Sequence, residues 1–121
     1  MDWERRGPGQ IDELLGDEER AISVITVSEL LHGVHRTRGG RRARRQAFVE
    51  HVLAGFEPIP VTEAVARIHA ELWAGLSRRG MIIGAHDLWI GATAIAAGLG
   101  VATVDVDDYR RLPGLRVIGP S

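Results

Sequence analysis

The chain has 121 residues, of which 45% are apolar and 26% charged, with a net charge of −1; these are values of one ordinary globular domain, large enough to form a core without staples. The absence of cysteine excludes disulfides, zinc–thiolate sites and thiol nucleophiles, and is compatible with a reducing compartment. The near-neutral balance conceals a pattern, because all 15 basic residues are arginine and six of them, Arg36, Arg38, Arg41, Arg42, Arg44 and Arg45, crowd one short segment. A planar guanidinium engages both oxygens of a phosphate or carboxylate at once, although a GC-rich genome would give the same all-arginine usage.

In chain order, Met1–Gly9 is polar with a Gly7-Pro8-Gly9 breaker, and Gln10–Leu15 is expected to form one or two helical turns. Ala21–Ile25 is short, apolar and β-branched, the pattern of a buried strand. A helix then opens at Thr26–Glu29 and runs to about His35, with Val27, Leu30, Leu31 and Val34 at helical spacing. Arg41–Ala54 is a second helix. Its first turn is crowded with arginines, which oppose the helix dipole and so are present for some reason other than helix stability. Phe56–Val61 reads as an edge strand because Pro58 and Pro60 cannot donate to a ladder. Thr62-Glu63 starts a longer helix to about Arg78, striped by Val65, Ile68, Leu72 and Leu76. A glycine turn leads to the helix bearing Asp87, which ends at Gly98. Val101–Val104 is a buried strand, Asp105–Tyr109 an acidic turn, and Leu115–Ile118 a last strand.

Helices alternating with short apolar strands give an α/β fold with a largely parallel sheet flanked by helices, in a single domain covering 1–121. No signal peptide is expected, since the first residues are polar and acidic. The uncharged run Leu88–Val104 falls short of the ~20 apolar residues of a span and is broken by glycines, so a cytoplasmic protein without membrane contact is expected. His51 and His69 read as surface or half-buried, and the five histidines form no ligand set. No P-loop, nucleophile elbow or dinucleotide fingerprint is present.

In open α/β sheets, sites lie beyond the carboxyl ends of the strands. Glu29 follows the first strand and Asp105 the third, so both fall on one rim if the strands are parallel. Asp87 joins them only if its helix stands across the end of the sheet. Each acid also has a reading without chemistry. Glu29 completes a capping box with Thr26, Asp87 is a preferred helix cap, and Asp105, Asp107 and Asp108 suit a turn. If three carboxylates do meet, an oxygen-only set with no thiol suits Mg²⁺ or Mn²⁺ rather than zinc.

Three motifs, in order, carry a resemblance: Ser23-Val24-Ile25-Thr26-Val27-Ser28-Glu29-Leu30-Leu31-His32-Gly33, Ile83-Gly84-Ala85-His86-Asp87-Leu88-Trp89-Ile90-Gly91-Ala92-Thr93-Ala94, and Thr103-Val104-Asp105-Val106-Asp107-Asp108-Tyr109, closed by Leu112-Pro113-Gly114-Leu115-Arg116-Val117. Together they resemble the PIN-domain ribonucleases of the VapC toxin type, over essentially the whole chain. The resemblance implies a three-layer PIN-like fold and an endoribonuclease dependent on Mg²⁺ or Mn²⁺. By position it implies Glu29, Asp87 and Asp105 as catalytic and metal-binding acids, Asp108 as the neighbouring acid, and Thr103 as a supporting hydroxyl. Tyr109 stands where the family carries Phe. It further implies a VapB-type antitoxin, homodimerisation, and structured RNA of the tRNA or rRNA class as substrate. Arg36–Arg45 would then contact RNA or an acidic antitoxin tail, or form a merely solvated basic loop.

One departure stands out. The family begins with a central strand of the kind L-D-T-S-V-L-I, whose Asp is a metal ligand, whereas Met1-Asp2-Trp3-Glu4-Arg5-Arg6-Gly7 resembles the residues just after it. Either the start lies too late or the copy is truncated. On this reading the chain alone is expected to be unstable and to have little nuclease activity, since buried backbone groups left unpaired cost ~1–3 kcal/mol each against a domain stability of ~5–15 kcal/mol. Two other readings remain: a non-catalytic remnant that only binds an antitoxin or sister chain, and a small Mg²⁺ phosphoacceptor domain, which would lack its usual lysine.

Overall fold

A computed structural model describes residues 21–103 and 106–119. The expected helix at Gln10–Leu15, Val104 and Asp105 lie outside the described residues. The elements run β1 (Ala21–Ser23), α1 (Val24–Arg36), α2 (Gly40–Ala54), β2 (Glu57–Ile59), α3 (Glu63–Arg78), α4 (Ala85–Ala97), β3 (Val101–Ala102), α5 (Val106–Arg110) and β4 (Val117–Ile118). The strands pair in parallel, β1 with β2 and β3 with β4. The α/β class with parallel pairing is therefore as expected, although among the described residues the sheet is two separate pairs rather than one continuous ladder.

The expected strand Ala21–Ile25 is cut short by a cap. Ser23 accepts a hydrogen bond from the Ile25 N–H at 3.1 Å, satisfying one orphan donor of the first turn, so α1 starts at Val24 and takes the β-branched pair Val24-Ile25 with it. Thr62 caps α3 in the same way, accepting from the Val65 N–H at 3.3 Å. Its apolar stripe then buries Val65, Leu72 and Leu76. Pro58 lies within β2, which pairs only with β1 among the described residues; this is the edge position that a residue without an N–H tolerates. The expected acidic turn is instead the short helix α5, starting at Val106.

Among the described residues, buried apolar side chains gather in two clusters. The larger joins α3 and α4 with Val101, Tyr109 and Leu112, and the smaller joins α1 and α2 with Ala102. Strand β3 thus contributes its two residues to different clusters, as alternation of side chains across a strand requires. Glycine permits two close approaches around this core. A Cβ at Gly91 would collide with Leu112 Cδ1, and one at Gly100 would sit 2.8 Å from the Arg116 carbonyl oxygen. The second approach lets the Val101 N–H reach that same oxygen at 2.8 Å and start the β3–β4 pairing.

Candidate nuclease site

Glu29 is not held by a capping box. Because α1 starts at Val24 with Ser23 as its cap, Thr26 and Glu29 both lie inside the helix. Thr26 is buried at 2% exposure, and its Oγ1 has no hydrogen-bond partner. Glu29 stands about one turn further on, a half-buried carboxylate released from any capping duty. It meets the start of α4, where its Oε2 lies 3.5 Å from His86 Nδ1.

Asp87 is not the cap of α4 either. Gly84 occupies the cap position without a side-chain bond, and Asp87 falls in the first turn, where a carboxylate interacts favourably with the positive end of the helix dipole. Its Oδ1 accepts a hydrogen bond from the Tyr109 hydroxyl at 3.0 Å. Its Oδ2 lies over Gly84, 3.5 Å from where a Cβ would stand on that residue. Tyr109 belongs to α5, just past the carboxyl end of β3, and Glu29 belongs to α1, just past the carboxyl end of β1. The first turn of α4 touches both through adjacent residues, His86 and Asp87. The first turn of α4 therefore lies beside the two helices that follow the carboxyl ends of β1 and β3.

Asp108 has a different partner. It pairs with Arg111 at 3.5 Å, and Arg111 also donates to the Ile82 carbonyl oxygen at 2.8 Å. Arg79 Nη2 in turn donates to the Arg111 carbonyl oxygen at 3.2 Å. The two arginine contacts tie the segment after α5 to the loop that leads into α4, with Asp108 paired to Arg111 at the surface. Thr103 is fully buried directly after β3, its N–H donating to the Ile118 carbonyl oxygen at 3.0 Å. Asp105 lies outside the described residues, and among the described residues no group of three or more His, Cys, Asp or Glu is placed to hold a metal ion.

The arginine segment is exposed at all six positions. Helix α2 opens at Gly39 with no side-chain cap and no acid in its first turn, and Arg42 Nη2 lies 3.0 Å from His35 Nδ1, across the turn from α1. The opposite face of α4 holds a feature that the sequence reading missed. His69, read as surface or half-buried, is buried at 8% exposure. Its ring stacks on Trp89 at 3.6 Å and meets Trp73 edge-on at 5.8 Å, and burial lowers its pKa from 6.5. The helical spacing of Ile68 and Leu72 around it places His69 on the inner face of α3, a signal present in the sequence. A groove of about 420 Å³ opens beside these rings, bordered by Trp73, Met81 and Ile82.

Short parallel strand pairs with helices packed around them define a compact α/β domain. A family model described as PIN domain matches residues 4–115. Ribonuclease VapC1 of Rickettsia felis is 36% identical over 101 residues, covering 83% of this chain and 75% of the relative. Ribonuclease VapC5 of Mycobacterium tuberculosis is 39% identical over 106 residues, covering 87% and 77%. Among solved structures, VapBC-5 of Mycobacterium tuberculosis, a member of the VapBC family of toxin–antitoxin systems, superposes with a TM-score of 0.80 at 35% identity, covering 92% of this chain and 90% of that one. The chain belongs to the PIN-domain family, among the VapC ribonucleases. Among the described residues no helix is long and apolar enough to cross a membrane.

Proposed function

We propose that the chain is an endoribonuclease toxin of a VapBC-type system, cleaving structured RNA with Mg²⁺ or Mn²⁺ at the rim where α1, α4 and α5 meet. The observation that carries the reading is the meeting of Glu29 and the Asp87 turn at one place, through the His86 and Tyr109 contacts. A donor set of carboxylate oxygens fits a hard divalent cation. Asp87 and Glu29 would hold it, with Asp105 completing the set from the end of β3. The bound cation would supply an activated water and neutralise charge on the phosphodiester. The residues of this chain keep the two carboxylates at the strand ends, hold Asp87 in the first turn of α4, and present arginines along α2 to the RNA backbone.

The antitoxin partner is supported by structural relatives that are VapBC complexes, including VapBC2 of Rickettsia felis, solved with a DNA fragment from its promoter. The test is cleavage of a structured RNA by the full chain with and without Mn²⁺. Cleavage that requires Mn²⁺, stops with a chelator and is lost in Asp87→Ala supports the reading and overturns the expectation that this chain alone has little activity. Cleavage unaffected by either change overturns the metal-dependent reading. A second reading is a protein that binds an antitoxin without cleaving RNA. Antitoxin binding by a chain that neither takes up Mn²⁺ nor cuts RNA would establish it.

A further inference from the structure

Tyr109 is 3% exposed and belongs to the larger apolar cluster, among Leu88, Leu112 and Val101. A phenyl ring would meet that packing requirement, whereas a buried phenol oxygen needs a hydrogen-bond partner. The oxygen reaches the half-buried carboxylate of Asp87, 22 positions earlier in the chain, at 3.0 Å. A carboxylate on a short side chain rotates between its two oxygens unless one is held. Here Oδ1 is held by the phenol, and Oδ2 lies on the Gly84 side, 3.5 Å from where a Cβ would stand on that residue. The ring itself is fixed from behind, because α5 is clasped to the loop before α4 by Arg111 on the Ile82 carbonyl oxygen. The donor is therefore as rigid as the core it grows from.

We infer that the Tyr109 hydroxyl is a positioning group for Asp87, holding one carboxylate oxygen so that the other is the one offered to a divalent cation. The inference rests on the metal-dependent reading of the site and names the residue that orients its central ligand. Groups that orient a ligand from behind commonly contribute 10–100-fold to metal affinity, so Tyr109→Phe should weaken Mn²⁺ binding by about 10-fold or more. The loss should appear in a calorimetric titration of the full chain, with the far-ultraviolet circular dichroism unchanged.

Asp87→Asn separates the two levels of the argument. If Asp87→Asn abolishes Mn²⁺ binding while Tyr109→Phe binds as tightly as the parent, the positioning role is overturned and the metal site stands. If Asp87→Asn binds as the parent does, the metal reading falls and the inference with it. A measurement on the unmutated protein guards against a misfolded variant. Tyr109 is the one tyrosine of the chain, so tyrosine labelled at its Cζ carbon gives a single resonance that reports on the hydroxyl bond. That resonance should move on addition of Mg²⁺ in the parent and stay still in Asp87→Asn. A resonance that ignores Mg²⁺ in the parent overturns the proposal.

Discussion

Helices α2 and α4 are built from opposite materials. Helix α4 buries Leu88, Ile90, Gly91, Ala92, Thr93 and Ala94 and carries one charge, Asp87, in its first turn. Helix α2 buries only Val49 and Val52 and opens on a run of arginines. Neither has a side-chain cap; the acid in the first turn of α4 suits the helix dipole, whereas the arginines that open α2 oppose it. The apolar helix is held by the core and can afford to aim its single carboxylate at a site. The basic helix is held by one narrow stripe and leaves its arginines exposed. Geometry is thus concentrated in the α3–α4–α5 half, and electrostatic attraction in the α1–α2 half.

The largest effect that would sharpen this contrast is in the larger core. Leu76→Ala removes a side chain that is 2% exposed and should cost about 2–5 kcal/mol in denaturant unfolding. A loss near zero would mean that α3 does not anchor α4. Gly91→Ala comes next, because the added methyl collides with Leu112, which is itself 2% exposed. Overpacking of this kind costs about 1–3 kcal/mol, and an unchanged melting curve would show that α4 has room to move from Leu112.

The buried imidazole of the same half supplies a pH dependence. Burial lowers the His69 pKa from 6.5, so on acidification the unfolded chain takes up the proton first. The stability that neutral His69 contributes is complete above 6.5 and lost as the pH falls below that value, through the lowered value of the folded state. Melting temperature should therefore drop between pH 7 and 5, and His69→Gln should flatten that limb of the profile. Superimposable profiles for parent and variant would contradict it.

The smallest stability effect belongs to α2. Exchanging exposed Arg41 and Arg44 for Gln should change stability by no more than ~0.5 kcal/mol, while RNA affinity falls and its salt dependence becomes shallower. An unchanged salt slope would make the arginine face a solvated surface.

Much of this division could be read from the sequence where local and long-range requirements agree. Helix α3 shows it best, since Thr62, Glu63 and the Val65–Leu76 stripe specify start, period and buried face together. The reading of β1 failed where they compete. Val24 and Ile25 favour a strand by their branching, yet the Ser23 cap draws them into α1, and that shift removed the capping-box explanation of Glu29. The acidic stretch after β3 suited a turn by its residue types, but Tyr109 and Leu112 pack into the core and favour the helical α5. The Asp87 motif could be read as a site residue, but its hydrogen-bond donor could not. Tyr109 lies 22 positions away, and only the packing of α5 against α4 brings it there.

Paramagnetic broadening tests whether the first turn of α4 and Glu29 form one cation site. In a titration of the full chain with substoichiometric Mn²⁺, the amide resonances of Glu29, His86, Asp87 and Tyr109 should vanish first, and Asp87→Asn should preserve them. Broadening that begins elsewhere, at Glu57 or Glu63 for example, or that persists in Asp87→Asn, would contradict a shared site.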